Sequence, residues 1–254
     1  MYQKELQIAI RAVKKSESTF RKYFGTRTKV EIKDGNYRDL VSYADKKIEK
    51  DIKKILARNF SKYGFIGEES GIINLNAKYK WVLDPIDGTT NYLQGSPDCA
   101  ISLALMKNDS PIVGVIYEPI LGYLYAARKK AGATMNGKKI KVSNIHDLKT
   151  AYGSFGWGRD INFAKKMFPK LVPVVGKMRV LGSAVVTLCN VAKGISDFLI
   201  GSGMKVWDYA AAQIILEEAG GVFINSEKPA LQIAANPILA EKLFKLAKSL
   251  NSRS

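Results

Sequence analysis

The segment from Asp84 to Asn91, with the sequence DPIDGTTN, restricts the possible folds of this chain more than any other segment. It follows the apolar run WVL, which has the composition of a short buried strand. Pro85 has a fixed φ angle and no backbone N–H, so we expect the strand to stop at this residue. Asp84 and Asp87 would then lie on a rigid turn, where their carboxylates can hold a metal ion together.

The residues that follow Asp87 are suited to a phosphate group. Gly88 has no side chain, which allows a ligand to approach the backbone closely. Thr89 and Thr90 are expected at the N-cap and in the first turn of a helix, whose free N–H groups favour an anion. The segment therefore predicts one place where metal and phosphate meet. Because the same residue types are common in ordinary polar turns, the segment alone leaves that simpler interpretation open.

Two other segments carry acids in comparable positions. The apolar residues FIG are followed by Glu68, and Asp208 begins a strongly patterned helix far downstream. Glu68 is near enough in sequence to Asp84 and Asp87 to converge with them at the ends of adjacent strands. Asp208 must come from the second half of the chain. The three segments together favour the functional interpretation of the Asp84 turn.

These segments resemble the inositol monophosphatase family, whose members are magnesium-dependent, lithium-sensitive phosphatases of sugars and polyols. The resemblance is carried by Gly67–Ser70, Asp84–Asn91 and Trp207–Gly221, with a weaker match at Asp39–Asp45. The order and spacing of these blocks match the family from about Asp39 to the final helix. The resemblance implies an α/β (α+β) fold, a layered αβαβα sandwich of the sugar phosphatase type. The alternation of helix and strand patterns along the chain is compatible with that fold.

The resemblance also implies a phosphoric monoester hydrolase that uses two or three Mg²⁺ ions. Such ions can activate water, neutralise the phosphoryl oxygens and stabilise the leaving group, and Mg²⁺ prefers hard oxygen ligands. The implied catalytic residues are Glu68, Asp87 and Thr89, with Thr89 helping to orient and activate the attacking water. The implied metal ligands are Glu68, Asp84, the Ile86 carbonyl, Asp87 and Asp208.

Several polar residues have two interpretations. Asp208 can be a metal ligand or a helix cap, since Asp is favoured at helix N-termini. Asp45 can be an acid of a distal metal site or a solvated helix acid. Glu69 is interpreted as a supporting or surface acid. Lys33 is a weak match to the lysine of the family's mobile loop, and His146 lies in a polar connection that suggests a surface role.

The substrate contacts implied by the resemblance are Gly88, Thr89, Ser183, Ala184, Gly201 and Lys205. In the family pattern a glutamate six residues before the Trp-Asp pair contacts substrate hydroxyls, and Gly201 replaces it here. An open, basic segment from Gly201 to Lys205 would admit a doubly phosphorylated sugar. We therefore predict an inositol-1-phosphatase that also hydrolyses fructose 1,6-bisphosphate. The alternatives are a phosphatase of nucleoside 3′,5′-bisphosphates and a nucleic-acid-binding protein on the same scaffold.

The net charge of +17 indicates anionic partners. Nucleic acid is the less favoured partner, because lysines and arginines are spread through the chain. The densest basic segment, Lys46–Lys54, also contains two acids and has the pattern of a solvated helix face. We expect the charge to steer a small phosphorylated sugar or polyol toward the site.

We expect a cytoplasmic homodimer that does not interact with membranes. The first residues do not form a signal peptide, and no apolar run in the sequence is long enough to span a bilayer. Cys99 and Cys189 lie in apolar segments, where free cysteines behave as small hydrophobic residues. The cysteine pattern does not indicate a disulfide framework.

The pattern of elements divides the chain into two halves. Residues 1–147 form an α+β half that carries most of the metal ligands, and residues 148–254 form an α/β half that supplies Asp208 and substrate contacts. We predict helices over residues 2–24 and 42–60, a loop over 26–36, and antiparallel strands over 100–106, 112–117, 122–127 and 140–143. In the second half we predict strands over 151–155, 177–180, 197–200, 222–225 and 231–234, alternating with helices over 160–168, 183–193, 208–219 and 237–250.

Overall fold

The computed structural model describes residues 1–26, 30–32, 40–158, 160–227 and 230–251 of the chain. Lys33 and Asp39 lie outside these ranges, and so do the predictions that concern them. The helices are α1 (Gln3–Lys15), α2 (Glu17–Tyr23), α3 (Tyr43–Asn59), α4 (Thr89–Gln94), α5 (Ile161–Leu171), α6 (Ala184–Ala192), α7 (Val206–Glu218) and α8 (Pro237–Asn251). The strands are β1 (Val30–Ile32), β2 (Leu40–Ser42), β3 (Gly64–Gly67), β4 (Gly71–Ile73), β5 (Tyr79–Asp87), β6 (Ala100–Lys107), β7 (Ser110–Glu118), β8 (Tyr123–Arg128), β9 (Ala133–Met135), β10 (Lys138–Lys139), β11 (Tyr152–Gly156), β12 (Lys177–Arg179), β13 (Phe198–Gly201), β14 (Val222–Glu227) and β15 (Ala230–Ala235).

Two β-sheets form the framework. The eight-stranded sheet has the order β10-β9-β8-β7-β6-β5-β3-β4 and is antiparallel except for the parallel pair β3 and β5. The five-stranded sheet has the order β12-β11-β13-β15-β14, with β11 parallel to both of its neighbours. Strands β1 and β2 form a separate antiparallel pair. The parallel pair β3 and β5 matters for function because both strands end at the same edge of the sheet.

The helices complete five layers with three apolar cores among the described residues, and the core around α6 and α7 contacts both sheets. Helices α1 and α3 pack on one face of the eight-stranded sheet. Helices α6 and α7 lie between the two sheets. Helices α5 and α8 contribute to the core on the other side of the five-stranded sheet. The predicted αβαβα sandwich is therefore confirmed. Among the described residues, no helix combines the length and the apolar character needed to cross a lipid bilayer.

The two sheets come from separate parts of the chain. The strands of the eight-stranded sheet lie within residues 64–139, and those of the five-stranded sheet lie within residues 152–235. Helix α7 lies within the second group in sequence, between β13 and β14, yet it packs against β5, β6, β7 and β8 of the first sheet. The division into halves at residue 148 stays a prediction, and α7 joins the two parts across it.

Strand β5 does not stop at Pro85, contrary to the prediction. It continues to Asp87, and the pairing with β6 shifts between Asp84 and Asp87. Asp84 pairs with Ser102 and Asp87 with Ala100, so two residues of β5 lie opposite one residue of β6. A proline is tolerated inside a strand at such a bulge because its missing N–H is not needed there.

Three other predicted elements differ from the structure. The loop predicted over residues 26–36 contains strand β1. The helix predicted over residues 2–24 is divided at Ser16, whose hydroxyl donates a hydrogen bond to the Ala12 carbonyl at 3.3 Å. Such bonds back to the preceding turn commonly bend helices. The strand predicted over residues 140–143 is replaced by the β9–β10 hairpin just upstream. Val142 instead donates its N–H to the carbonyl of Ala219, at the end of α7.

The close approach of α7 to the eight-stranded sheet depends on Gly114 in β7. A Cβ atom at this position would lie 2.4 Å from the Ala211 carbonyl oxygen and 2.5 Å from a methyl group of Ile214, both in α7. Any side chain at position 114 would therefore push the helix away from the sheet. Because α7 carries Asp208, the position of this acid depends on a glycine in another layer.

Replacing Gly114 with alanine should destabilise the protein and displace Asp208. We expect a loss of about 1–3 kcal/mol in the free energy of unfolding, which is typical of overpacking a tight core. Denaturant unfolding measures this loss, and metal-dependent activity should fall with it. Gly156→Ala is the matched control for stability, since a Cβ at that position meets nothing within 4 Å. Equal stability of the two variants would show that the contact of Gly114 with α7 is unimportant.

Candidate active site

Strands β3 and β5 bring the first acids together. Gly67 pairs in parallel with Leu83, and the N–H of Glu68 donates to the Leu83 carbonyl at 3.2 Å. Glu68 therefore continues the β3 strand beside Asp84. This is the convergence at adjacent strand ends that the sequence predicts. It results from a parallel pairing between strands that are close in the chain.

The turn after Asp84 is held by hydrogen bonds within it. A carboxylate oxygen of Asp84 accepts the N–H of Ile86 at 3.0 Å, and the hydroxyl of Thr89 donates to the Ile86 carbonyl at 3.1 Å. The side chains of Asp84 and Asp87 are only 2% and 7% exposed. The bulge therefore fixes two buried carboxylates, a carbonyl and a hydroxyl within one short segment.

Helix α4 starts one residue earlier than the prediction. Gly88 is the N-cap, with φ 81°, and Thr89 is the first helical residue. A side chain at position 88 would be strained at this φ angle, and its Cβ would lie 2.8 Å from the Asp98 carbonyl oxygen. Glycine is needed here because the backbone turns sharply against a neighbouring segment. The first N–H groups of α4 then follow directly after Asp87.

Asp208 joins the cluster from the first turn of α7. One of its carboxylate oxygens accepts the N–H of Lys205 at 2.7 Å, so the residue also caps the helix. Asp208 can therefore cap the helix and be a candidate metal ligand at the same time. Asp84, Asp87 and Asp208 each offer one carboxylate oxygen, and these three atoms lie within 4.8 Å of one another. Oxygen atoms at that spacing can share one divalent cation.

Burial and mutual repulsion raise the pKa values of all three acids. Desolvation, followed by the negative charges of Glu68, Asp87, Asp208 and Asp45, raises the pKa of Asp84 well above its ordinary range. Desolvation raises the pKa of Asp87 to about 6, although hydrogen bonds from Ser183 and Val185 oppose the shift. Desolvation and the charge of Asp87 raise the pKa of Asp208 to about 7. Without a cation, these carboxylates therefore keep their protons to a higher pH than ordinary aspartates do.

The donor set fits Mg²⁺. All of the candidate ligands are carboxylates or a carbonyl, which are the hard oxygen ligands that this ion prefers. A buried group of like charges is unfavourable alone and is stabilised by a cation. The clustered oxygens and the raised pKa values are therefore consistent with a divalent cation held by Asp84, Asp87 and Asp208.

Helix α6 holds Asp87 from the opposite side. One carboxylate oxygen of Asp87 accepts hydrogen bonds from the Ser183 hydroxyl and from the Val185 N–H, the latter at 3.0 Å. The Ser183 oxygen also caps the helix by accepting the Val186 N–H at 3.1 Å. The sequence pattern assigned Ser183 to the substrate and gave no sign of this second contact, because the two residues are 96 positions apart.

Two acids of α3, Asp45 and Glu49, support the site, and both are buried. The solvated interpretation of Asp45 is wrong, because the residue is 1% exposed and its charge raises the pKa of Asp84. Glu49, four residues later, accepts the N–H groups of Glu69 and Ser70 at 3.0 and 2.7 Å. It thereby fixes the turn that carries Glu68. The sequence shows Glu49 only as an acid within a basic helix, so its role was missed.

A cavity of about 460 Å³ opens beside the acids. Asp87 and Asp208 form one end of it, and its other lining residues include Ser183, Ala184, Trp157 and Ser202. The volume suits a small ligand placed directly against the candidate metal ligands. The N-terminal turn of α6 also lines the cavity, so Ser183 and Ala184 stay predicted substrate contacts.

The description of Gly201 as part of an open loop is wrong. Gly201 is the last residue of β13, is buried, and pairs with Gly156 and Gln232. A Cβ there would lie 2.9 Å from the Gly156 carbonyl oxygen, so a side chain does not fit without movement of the strand. Leu199 and Ser202 line the cavity on either side of Gly201 in the sequence, whereas Gly201 itself does not. Lys205 is exposed at the start of α7, and its charge lowers the pKa of Asp208.

The raised pKa values predict how metal and pH act on stability. Because Asp87 and Asp208 have folded pKa values of about 6 and about 7, above their ordinary value of 3.8, the metal-free fold binds more protons than the unfolded chain. These extra protons stabilise the metal-free fold. The stabilisation is fully present below the unfolded pKa of the two acids and is lost as the pH rises through their folded pKa values. A cation replaces the protons. We therefore expect Mg²⁺ to raise the Tm more at pH about 8 than at about 5.5.

Thermal unfolding in EDTA and in excess MgCl₂ at the two pH values measures this difference. Sodium chloride at matched ionic strength is the control for screening. A Tm increase with Mg²⁺ that is the same at both pH values would contradict the assignment of the ligands.

Comparisons with known proteins agree with the geometry. The model of the inositol monophosphatase family matches residues 1–253. The chain is 38% identical over 252 residues to a fructose-1,6-bisphosphatase/inositol-1-monophosphatase of Aquifex aeolicus, covering 96% of each chain. It is 36% identical over 225 residues to human inositol monophosphatase 1, covering 82% of this chain and 81% of the relative.

The solved structures show the same architecture. The extragenic suppressor protein suhB of Bartonella henselae superposes with a TM-score of 0.89 at 29% identity, covering 97% of this chain and 99% of that one. A family match over nearly the whole length, together with relatives above 30% identity, establishes the relationship. The chain belongs to the inositol monophosphatase family and is a phosphoric monoester hydrolase of that family.

Proposed function

We propose that this protein is a Mg²⁺-dependent phosphatase of small sugar and polyol phosphates, with inositol-1-phosphatase and fructose-1,6-bisphosphatase activity. The observation that carries the proposal is the convergence of Asp84, Asp87 and Asp208 at the end of a cavity of about 460 Å³. Two or three Mg²⁺ ions, when bound, would lower the pKa of water and neutralise charge on the phosphoryl group. The residues of the chain hold and orient the reactants.

The acids and one carbonyl form the proposed metal-binding side of the reaction. We assign the Mg²⁺ ligands to Glu68, Asp84, the Ile86 carbonyl, Asp87 and Asp208. Asp87 is fixed by donors from α6, Asp208 by the N–H of Lys205, and Glu68 by the turn that Glu49 holds. Ligands that are fixed in advance lose little freedom when the cation and the substrate bind.

Thr89 is placed to orient the attacking water. Its hydroxyl proton is donated to the Ile86 carbonyl, which leaves the oxygen lone pairs free to accept a hydrogen bond from water. The backbone N–H groups of Gly88 and Thr89 start the short helix α4 and are assigned to the phosphate. Phosphate and water would then lie next to the acids, as hydrolysis requires.

The substrate side includes the N-terminal turn of α6 beside Asp87. Ser183 and Ala184 line the cavity there, and we retain them as substrate contacts together with Lys205. Gly201 contributes only by keeping strand β13 close to Gly156. The exposed Lys205 beside the site can attract a second phosphate. The dual activity in the name of the Aquifex aeolicus relative supports a bisphosphate substrate as well as inositol phosphate.

The proposal is tested by phosphate release from inositol 1-phosphate, fructose 1,6-bisphosphate and 3′-phosphoadenosine 5′-phosphate, with and without Mg²⁺. We expect turnover of the first two substrates only when Mg²⁺ is present. Preference for the nucleotide would replace the proposed substrate class. Binding to nucleic acid with steep salt dependence and no turnover would favour the scaffold alternative. The homodimer and the cytoplasmic location are further proposals, and sedimentation of the purified protein tests the first.

Asp87→Asn should nearly abolish turnover while the fold persists. The substitution removes one negative ligand charge from the metal site, and we expect kcat to fall by about 100-fold or more. Asp109→Asn, at an exposed acid between β6 and β7, is the matched control and should retain activity. Activity of Asp87→Asn equal to that of the unmodified protein at saturating Mg²⁺ would refute the ligand assignment.

Thr89→Ala should lower kcat more than it raises KM, because the hydroxyl acts on the attacking water. The expected decrease in kcat is about 10- to 100-fold. Thr150→Ala removes an exposed threonine hydroxyl far along the chain and serves as the control. An effect confined to KM would instead make Thr89 a residue that binds substrate.

A further inference from the structure

Ser202 lines the cavity, although the resemblance to the family does not assign it to the site. It follows the last residue of β13, is 4% exposed, and lines the same cavity as Asp87 and Asp208. Its N–H donates to the Gly156 carbonyl at 3.2 Å, which fixes its backbone against β11. The residue is therefore held in the cavity wall by the sheet.

Asp160 determines the direction of the Ser202 hydroxyl. One carboxylate oxygen of Asp160 accepts this hydroxyl at 3.1 Å. The other oxygen accepts the Phe163 N–H at 2.9 Å and caps helix α5. An ionised carboxylate can only accept hydrogen bonds, so the proton of the Ser202 hydroxyl must point toward Asp160. The lone pairs of the Ser202 oxygen are then left for another donor.

We propose that Ser202 accepts a hydrogen bond from a substrate hydroxyl and thereby selects the hydroxyl-bearing part of a polyol phosphate, with Asp160 as its positioning residue. The inference rests on the proposed function and names the specificity of the same site. A hydroxyl group can donate to Ser202, whereas an ionised phosphate has only acceptor oxygens. The Asp160 charge further disfavours a phosphate at this wall.

This assignment explains how the site can recognise the hydroxyl groups of a polyol without the glutamate that contacts them in the family pattern. The glutamate position is Gly201, where no side chain fits. The next residue supplies the acceptor instead, and the negative charge comes from the connection between β11 and α5. The two parts are 42 residues apart in sequence and meet only in the folded protein.

The test compares two substrates that differ only in their hydroxyl groups, inositol 1-phosphate and cyclohexyl phosphate. We expect the unmodified protein to prefer inositol 1-phosphate in kcat/KM. Ser202→Ala should reduce this preference about threefold to tenfold, the range for one neutral hydrogen bond, and should leave cyclohexyl phosphate unchanged. Ser16→Ala, at an equally buried serine that bonds within α1, is the matched control and should not change the preference.

Asp160→Asn provides a second variant that keeps the helix cap. Asn caps helices as well as Asp does, and its carbonyl oxygen is needed by the Phe163 N–H. The amide NH₂ must then face Ser202 and donate to its oxygen, which turns the Ser202 proton toward the cavity. We expect the preference for inositol 1-phosphate to fall as in Ser202→Ala. The double variant should be no worse than Ser202→Ala alone, since Asp160 acts through Ser202.

An unchanged preference in either variant would overturn the inference, and so would an equal loss with both substrates. Additive losses in the double variant would show that Asp160 does not act through Ser202. A lack of preference in the unmodified protein would also refute it. Failure of the proposed function gives a different result, since neither ester would then be hydrolysed in a Mg²⁺-dependent manner.

Discussion

Repulsion among buried carboxylates is the constraint on which this structure depends. Asp84, Asp87 and Asp208 offer oxygen atoms within 4.8 Å of one another, and their burial raises each pKa. Such a group is unfavourable unless protons or a cation neutralise it. The fold keeps the acids in place against this repulsion, so that a cation gains the full attraction when it binds.

The surrounding layers supply this restraint through donors and close packing. Helix α6 directs Ser183 and Val185 at Asp87, and the first turn of α7 binds Asp208 through the N–H of Lys205. Gly114 lets α7 lie directly on the eight-stranded sheet. Asp87 and Asp208 are therefore held by α6 and α7, which share the layer between the two sheets, and Asp84 is held within its own turn of β5. The αβαβα arrangement is needed for the site because no single layer contains all the ligands.

The cavity adds selectivity to this metal-binding end. Its lining includes Ser202 and Trp157, which follow strands of the second sheet, and Ser183, which bonds to Asp87. The Asp160–Ser202 pair resembles the Asp87–Ser183 pair. In both, a carboxylate accepts the serine hydroxyl and thereby fixes the direction of its proton. Carboxylates thus orient serine hydroxyls at two places in the cavity lining.

The sequence alone determined the family, because its motifs are short local patterns with distinctive spacing, and the resemblance implied the layered fold. The same motifs predicted the acids at positions 68, 84, 87 and 208, of which the structure brings Asp84, Asp87 and Asp208 together. The sequence also predicted most of the strands and helices from their periodicity. Only the tertiary structure decided that β5 continues past Pro85, that Asp45 and Glu49 are buried, and that Gly201 leaves no room for a side chain. These properties depend on contacts between distant segments, such as those of Gly67 with Glu49 and of Ser202 with Asp160, which no local pattern encodes.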